Sequence, residues 1–365
     1  MQSGLLPEGF RDRLPPHADA AAALMRRILD SAHSHGYERV APPLAEFADG
    51  LTARLKGTRE VDLMRLTDPV SQRTLALRPD LTAQVGRIAA TRMAHHPRPL
   101  RLSYGGQVVK LRASQLRPER EMLQVGCELI GLDTVAAARE VVTVAVEALA
   151  AADVGALTVD FTLPDLVDSL ADALPVTDAA RVRDLLDAKD AGAIAAEAPA
   201  YSPLIAAAGP IDSALERLRA FDSQGQLASR LDGVAAVAEA IADKARLTLD
   251  PTERHGFEFQ RWLGFSFFVD GVAGEVGRGG TYAIVHPDGR EEPAVGFSLY
   301  LDPLVDAGLA VGARRRLFVP ADADPATAAT LRAQGWVTVA ALGDGDSAER
   351  QLCTHVLTDG APRAL

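Results

Sequence analysis

The stretches "LRLSYGGQVVK" (residues 100–110) and "EMLQVGCELIG" (residues 121–131) decide how this chain folds. Each alternates at period two, which predicts a strand. The charged connection "LRASQLRPER" (111–120) between them predicts an antiparallel pair with a long hairpin loop. In the second strand Leu123, Val125, Cys127 and Leu129 point one way, and Gln124, Gly126 and Glu128 the other. The first set packs on helices. The second places an amide and a carboxylate on one face with a glycine between them, which leaves room for a ligand above the sheet. An ammonium or an imidazole N–H would find its acceptors there. An edge face wetted by solvent fits the spacing equally well.

Working outward, "RTLALRPD" (73–80) reads as a strand entering a turn, and "LTAQVGRIAATRMA" (81–94) as a helix with Leu81, Val85 and Ile88 on one face. Asp80 or Thr82 can cap that helix, and either could also bind an amino group. Between His17 and His35, Leu24, Ile28 and Ala32 stand four apart, and Gly36 supplies a helix stop. Residues 133–152 form a further helix. From about 164 to 246 the pattern is helical and alanine-rich, broken by Pro199, Pro203 and Pro210, and reads as an insertion. Strand patterns return in "GFEFQRWLGFSFFVDGVAGEV" (256–276) and "GGTYAIVHPDGREEPAVGFSLYL" (279–301), where Asp-Gly within "HPDGRE" marks a hairpin turn. The chain therefore leaves a sheet and comes back to it. The expected fold is α+β: one mostly antiparallel sheet flanked by helices, with a helical insertion. Residues 1–312 form the expected core. Residues 313–365, with strands at "RRRLFVPA" and "WVTVAAL", form a short α/β tail of β-α-β-β pattern.

Apolar residues make up 48% of the chain, enough for a full core. The net charge of −11 counts against nucleic acid as the main partner, because gripping phosphates requires a basic surface. Cys127 and Cys353 stand far apart and imply neither a disulfide framework nor a zinc site. No His/Asp/Glu set has metal spacing; His33, His35, His95 and His96 read as helix-end residues. There is no signal-peptide pattern and no apolar run of membrane-spanning length, so a cytoplasmic protein is expected. "GEVGRGGTY" (274–282) lacks the Gly-Lys-Ser/Thr ending of a phosphate loop. Its glycines suit a bulge or the close approach of backbone to a ligand. Tyr282 could offer a hydroxyl to a pocket or sit in the core.

Taken in order, these pieces resemble the catalytic core of histidyl-tRNA synthetase, a class II aminoacyl-tRNA synthetase, over roughly residues 5–310. "PEGFRDRLP" (7–15) resembles its N-terminal arm and "HGYERVAPPLAEF" (35–47) its motif 1, which builds a dimer interface. "LRPDLTA" (77–83) resembles the amino-acid-binding loop, and residues 101–131 match motif 2 without a gap. "GGTY" (279–282) resembles the second histidine signature and "AVGFSLYL" (294–301) motif 3. By this resemblance Asp80, Thr82, Lys110, Gln124, Glu128 and Tyr282 are candidate contacts to histidine.

The departures fall on the ATP machinery. The motif 2 arginine is Lys110 here, which keeps the charge but loses the bidentate fork. The histidine signature becomes "HGFEFQ" (255–260), with His255 and Gln260 at its arginine and second tyrosine. The Glu-Arg of motif 3 becomes Asp302-Pro303. Each lost charge-assisted bond removes roughly 1.5–3 kcal/mol, so losing two or three slows adenylate formation about a thousandfold or more. The tail is also too short for an anticodon-binding domain.

An amino-acid pocket partly kept beside dismantled ATP chemistry resembles a paralogue group, the regulatory subunits of ATP phosphoribosyltransferase. The resemblance implies a non-catalytic chain without cofactor or metal. It implies a dimeric core that joins a short-form catalytic subunit, as a hetero-octamer, to condense ATP with phosphoribosyl pyrophosphate under histidine feedback. Histidine could bind the synthetase-like pocket or an inter-subunit contact. A free-standing histidine-binding sensor is the alternative.

Overall fold

The structure, a computed structural model, describes residues 5–52, 63–112, 118–254, 260–312, 315–343 and 345–365. Most of "HGFEFQ" (255–259) and the middle of the motif 2 loop (113–117) lie outside the described residues. The chain divides into two compact units, Met1–Ala310 and Val311–Leu365.

The first unit begins with helix α1 (His17–Ser34), whose Leu24, Ile28 and Ala32 are fully buried as their spacing requires. Strands β1 (Glu38–Arg39), β2 (Ala45–Phe47), β3 (Arg65–Thr67) and β4 (Thr74–Leu77) follow, with helix α2 (Ala48–Thr52) after β2. Helix α3 (Thr82–Ala90) leads to β5 (Leu100–Val109) and β6 (Glu121–Ile130), the antiparallel hairpin expected from alternation. In α3 Leu81 and Val85 are buried, but Ile88 is only half-buried and Ala89 takes the inward position. Helix α4 (Val135–Ala151) is capped by the Thr134 hydroxyl, which accepts from the Ala137 N–H at 3.3 Å.

Strand β7 (Leu157–Thr162) then precedes a helical block: α5 (Leu166–Leu170), α6 (Ala179–Asp187), α7 (Ala191–Glu197), α8 (Ser202–Ile205), strand β8 (Gly209–Pro210), α9 (Ile211–Phe221) and α10 (Ala228–Glu239). The chain rejoins the sheet through β9 (Arg246–Leu249), β10 (Gly264–Val269), β11 (Gly277–Val285) and β12 (Glu291–Tyr300), and ends the unit with α11 (Leu301–Asp306). Nine strands form one sheet in the order β1-β5-β6-β12-β11-β10-β7-β9-β8. All neighbours are antiparallel except β1 with β5 and β7 with β9. A smaller antiparallel sheet, β2-β4-β3, stands apart. The fold is the mixed class expected. β7 and β9, at either end of the helical block, are strands that the sequence pattern did not mark.

Helices cover the two faces of the large sheet. Adding a Cβ to Gly105 would bring it to 2.9 Å from the Met25 sulfur, so α1 packs closely on that face. Opposite lies a core of Leu81, Val85, Leu102, Tyr104, Tyr282 and Ile284 under α3. Burying each such side chain contributes about 1.5–3 kcal/mol, and this core fixes the start of α3 above β6.

In the second unit, β13 (Arg316–Val319), α12 (Pro325–Ala333), β14 (Val337–Ala340), β15 (His355–Thr358) and β16 (Ala361–Ala364) build a four-stranded sheet in the order β14-β13-β15-β16. Asp324 caps α12 by accepting from the Ala326 and Thr327 N–H groups, with Pro325 in the first turn. Leu317, Val319, Leu331 and Leu357 form its core. The last strand, β16, extends beyond the β-α-β-β pattern read from sequence.

Candidate functional site

β6 is third from one edge of the sheet, so its second face is not a wetted edge. Gln124 is fully buried and Glu128 is 1% exposed. They stand four residues apart, about 13 Å of strand rise, too far to touch. The gap holds side chains. Tyr104 on β5 and Ser298 on β12 are both register partners of Gly126. Gln124 Nε2 donates to Ser298 Oγ at 2.7 Å, Ser298 Oγ meets Tyr104 OH at 2.9 Å, and Tyr104 OH donates to Glu128 Oε1 at 2.9 Å. A Cβ on Gly126 would lie 2.5 Å from the Tyr104 hydroxyl and 2.2 Å from the Phe297 carbonyl. The space over Gly126, expected to admit a ligand, belongs to Tyr104.

The other candidates converge on the same cluster from α3 and β11. Gln124 Oε1 accepts the Leu81 N–H at 2.9 Å, and its amide donates to Asp80 Oδ2 at 2.6 Å. Asp80 Oδ1 accepts the Thr82 N–H at 2.6 Å, satisfying a donor of the first helical turn. This bond fits the capping reading of Asp80. The Thr82 hydroxyl meets Tyr104 OH at 3.1 Å, and Tyr282 OH donates to Glu128 Oε2 at 2.7 Å. Tyr282 is buried, at once a core residue and a member of the site. Five candidates thus share one network: Asp80, Thr82, Gln124, Glu128 and Tyr282. Lys110 stands apart at the end of β5, with Nζ 5.9 Å from the centre of the Tyr300 ring. Sequence reasoning missed Tyr104 and Ser298; the signal for both was Gly126, whose cross-strand partners must fill the space it leaves.

Burial is the leading influence on Glu128 and pushes its carboxyl up to about 8. Donated bonds from Tyr282, Tyr104 and Thr82 pull it back, and the Asp80 charge raises it again. Burial also holds the Tyr104 and Tyr282 hydroxyls well above the usual phenol range. Two carboxylates, an amide oxygen and hydroxyls converge here, a set suited to cationic N–H groups. Asp80 is only half-buried and marks the solvent side of the cluster.

From Gly277 onward the glycine-rich segment is regular strand, not a bulge, and Gly274 lies in the bend before it at φ 76°. A Cβ on Gly279 would strike the Phe265 ring at 2.4 Å, one on Gly280 the Gln260 side chain at 1.7 Å. A Cβ on Gly296 would fall 1.6 Å from Glu128 Oε2. These glycines admit neighbouring side chains of the protein itself. Among the described residues no group of three or more His, Cys, Asp or Glu side chains could hold a metal ion. His35, read as a helix-end residue, bonds Glu147 on α4 at 2.9 Å.

At the start of α11, Asp302 and Pro303 fall in the first helical turn. Asp302 is buried, accepts the Leu123 N–H at 2.7 Å, and forms an ion pair with Arg13 of the N-terminal arm. Arg11 pairs with Asp306 on the same helix. The arm is thus fastened where a class II synthetase presents the arginine that holds ATP.

A synthetase-like sheet, with a buried polar cluster between β6 and the start of α3, defines the class, and a family model described as histidyl-tRNA synthetase matches residues 9–304. Within that class the chain belongs to the ATP phosphoribosyltransferase regulatory subunit family. A protein of that name from Rhodospirillum centenum is 44% identical, covering 98% of this chain and 95% of that protein. One from Paramagnetospirillum magneticum is 43% identical, covering 97% and 96%. A solved structure titled an ATP phosphoribosyltransferase regulatory subunit/histidyl-tRNA synthetase, from Bacillus halodurans, superposes with a TM-score of 0.81 over 97% of both chains at 22% identity, a likeness of fold. No helix among the described residues is long and apolar enough to cross a membrane.

Proposed function

We propose that this chain is the non-catalytic regulatory subunit of ATP phosphoribosyltransferase and receives histidine in the cluster around Glu128. One observation carries the reading. Five of the residues that the resemblance assigns to the amino acid form one connected network, while the Glu-Arg of motif 3 is replaced by Asp302-Pro303, with Asp302 paired to Arg13. Histidine approaching past Asp80 would take over the Asp80–Gln124 bond and offer its ammonium to Asp80 and its ring N–H to Glu128. Gln124 also holds the Leu81 N–H, so its displacement loosens the first turn of α3. Such a movement gives the ligand unequal affinity for two states of an assembly, as feedback inhibition requires. The partner in this reading is the short-form catalytic subunit. A self-dimer through the motif 1 region and a hetero-octamer complete the expected assembly in the cytoplasm, with residues 313–365 as a separate module.

The test is formation of phosphoribosyl-ATP by the short catalytic subunit from the same organism, with and without this chain, while histidine is titrated. Activity present only in the mixture and suppressed by histidine supports the proposal. An unchanged activity and histidine response refute it.

A further inference from the structure

A groove of about 460 Å³ opens on the helical block, between α9 and α10 and beside β8 and β9. Leu215, Ala238, Ala242 and Leu247 supply its apolar lining. Asp212 and Glu239 also line it and are exposed. Neither carboxylate has a hydrogen bond or ion pair among the described residues. Neighbouring cations are engaged elsewhere: Lys244 with Glu147 at 2.7 Å, and Arg217 with the carbonyls of Ala207 and Ala208. The lining of the groove therefore carries two carboxylates and no cationic side chain around an apolar floor.

The sheet edge beside it is open. β8 pairs only with Thr248 and Leu249 of β9, leaving Arg246 and Leu247 without a strand partner on that side. Its Pro210 has no N–H to offer. An unpaired edge presents main-chain donors and acceptors to an incoming strand, and strand addition obtains specificity from side-chain pockets next to the edge. An apolar floor, two free carboxylates and an open edge together fit an extended segment that alternates apolar residues with lysine or arginine.

We infer that this groove docks a basic, apolar segment of the short-form catalytic subunit. The inference rests on the regulatory reading, which requires such a partner, and adds the surface and its chemistry. Charge complementarity would act mainly through the association rate and would weaken as salt rises.

The experiment measures binding of the short-form catalytic subunit to the full chain by biolayer interferometry at low and high salt. It compares wild type with Asp212→Lys/Glu239→Lys and with Ala242→Trp. All three positions are exposed, and calorimetric binding of histidine by each variant checks that the pocket is intact. The charge-reversed variant is expected to bind about tenfold or more weakly at low salt, since like charges now face each other, and to bind better as salt rises, the reverse of wild type. Ala242→Trp, which fills the groove, is expected to weaken binding to a similar degree at both salt concentrations. A wild-type chain that binds no catalytic subunit overturns the regulatory reading and this inference with it. Wild-type binding matched by both variants overturns the inference alone. Unchanged catalytic-subunit binding with an altered self-association of the variants would assign the groove to a second copy of the chain and equally overturn it.

Discussion

The Tyr282 hydroxyl donates to Glu128 Oε2 at 2.7 Å from a strand two places away in the sheet, while Tyr104 closes the other carboxyl oxygen at 2.9 Å. The carboxyl is therefore held by neutral donors and faces no cation in this set of bonds. Its raised titration has a consequence for stability. The folded value, about 8, lies above the usual carboxyl value of 4.5. Between these limits the folded state holds a proton that the unfolded state has lost. Stability should fall as pH rises through that window, by at most about 1.4 kcal/mol per pH unit. Glu128→Gln should abolish this slope, and urea midpoints at pH 5.5 and 7.5 measure it. Equal slopes in both proteins would contradict the burial argument.

The same substitution should weaken histidine binding. Glu128 is the one buried carboxyl in the network; a cationic ring N–H bonded to it would favour its ionised form, which a neutral amide cannot match. A lost charged hydrogen bond amounts to about 1.5–3 kcal/mol, so calorimetry should give a dissociation constant raised about 10- to 150-fold. Gln124→Ala should not weaken it to the same degree, because it removes the bond to Asp80 that the ligand ammonium has to displace. Lys110→Ala should change it less, because Lys110 lies beside Tyr300 and outside the network of the other five.

How far the sequence leads depends on which interactions are local. Period-two alternation identified β6, its two faces and the placement of Gln124 and Glu128 on one of them, since strand geometry dictates where alternate side chains go, but not that both are buried. The Asp-Gly turn between β11 and β12 was legible for the same reason: the turn dictates its own residues. Tyr104 and Ser298 were not legible, because they meet Gly126 only through the registers of two separate strand pairs. Nor was the Arg13–Asp302 pair, which joins residues 289 positions apart. Strands β7 and β9 were hidden because their six and four residues border long helical stretches whose periodicity dominates any window containing them.

Replacing Pro303 with arginine restores the residue type of motif 3, yet should not restore chemistry. Lys110 would still lack the fork that grips the α-phosphate and carboxylate. Asp302 would still be engaged by Arg13 and the Leu123 N–H. ATP–pyrophosphate exchange with histidine should stay at background for both wild type and Pro303→Arg. Exchange in either protein would return the chain to the synthetases.

The Arg13–Asp302 pair should also decide whether the N-terminal arm stays bound. Its side chains are 20% and 10% accessible, so both charges have left most of their water. Asp302→Ala leaves the guanidinium only Asp306, 3.8 Å away, and leaves the Leu123 N–H unsatisfied, which should destabilise the first unit by about 2–4 kcal/mol. Asp302→Asn keeps an acceptor for the Leu123 N–H and loses only the charge, so it should destabilise less. Release of the arm frees the backbone after Arg11 and Arg13, both trypsin sites, to enter the protease. Limited trypsinolysis should therefore cut there faster in Asp302→Ala than in Asp302→Asn, and slowest in wild type. Equal cleavage in all three would mean that the contacts of the arm with Arg120, whose guanidinium lies 5.0 Å from the Phe10 ring, hold it without the ion pair.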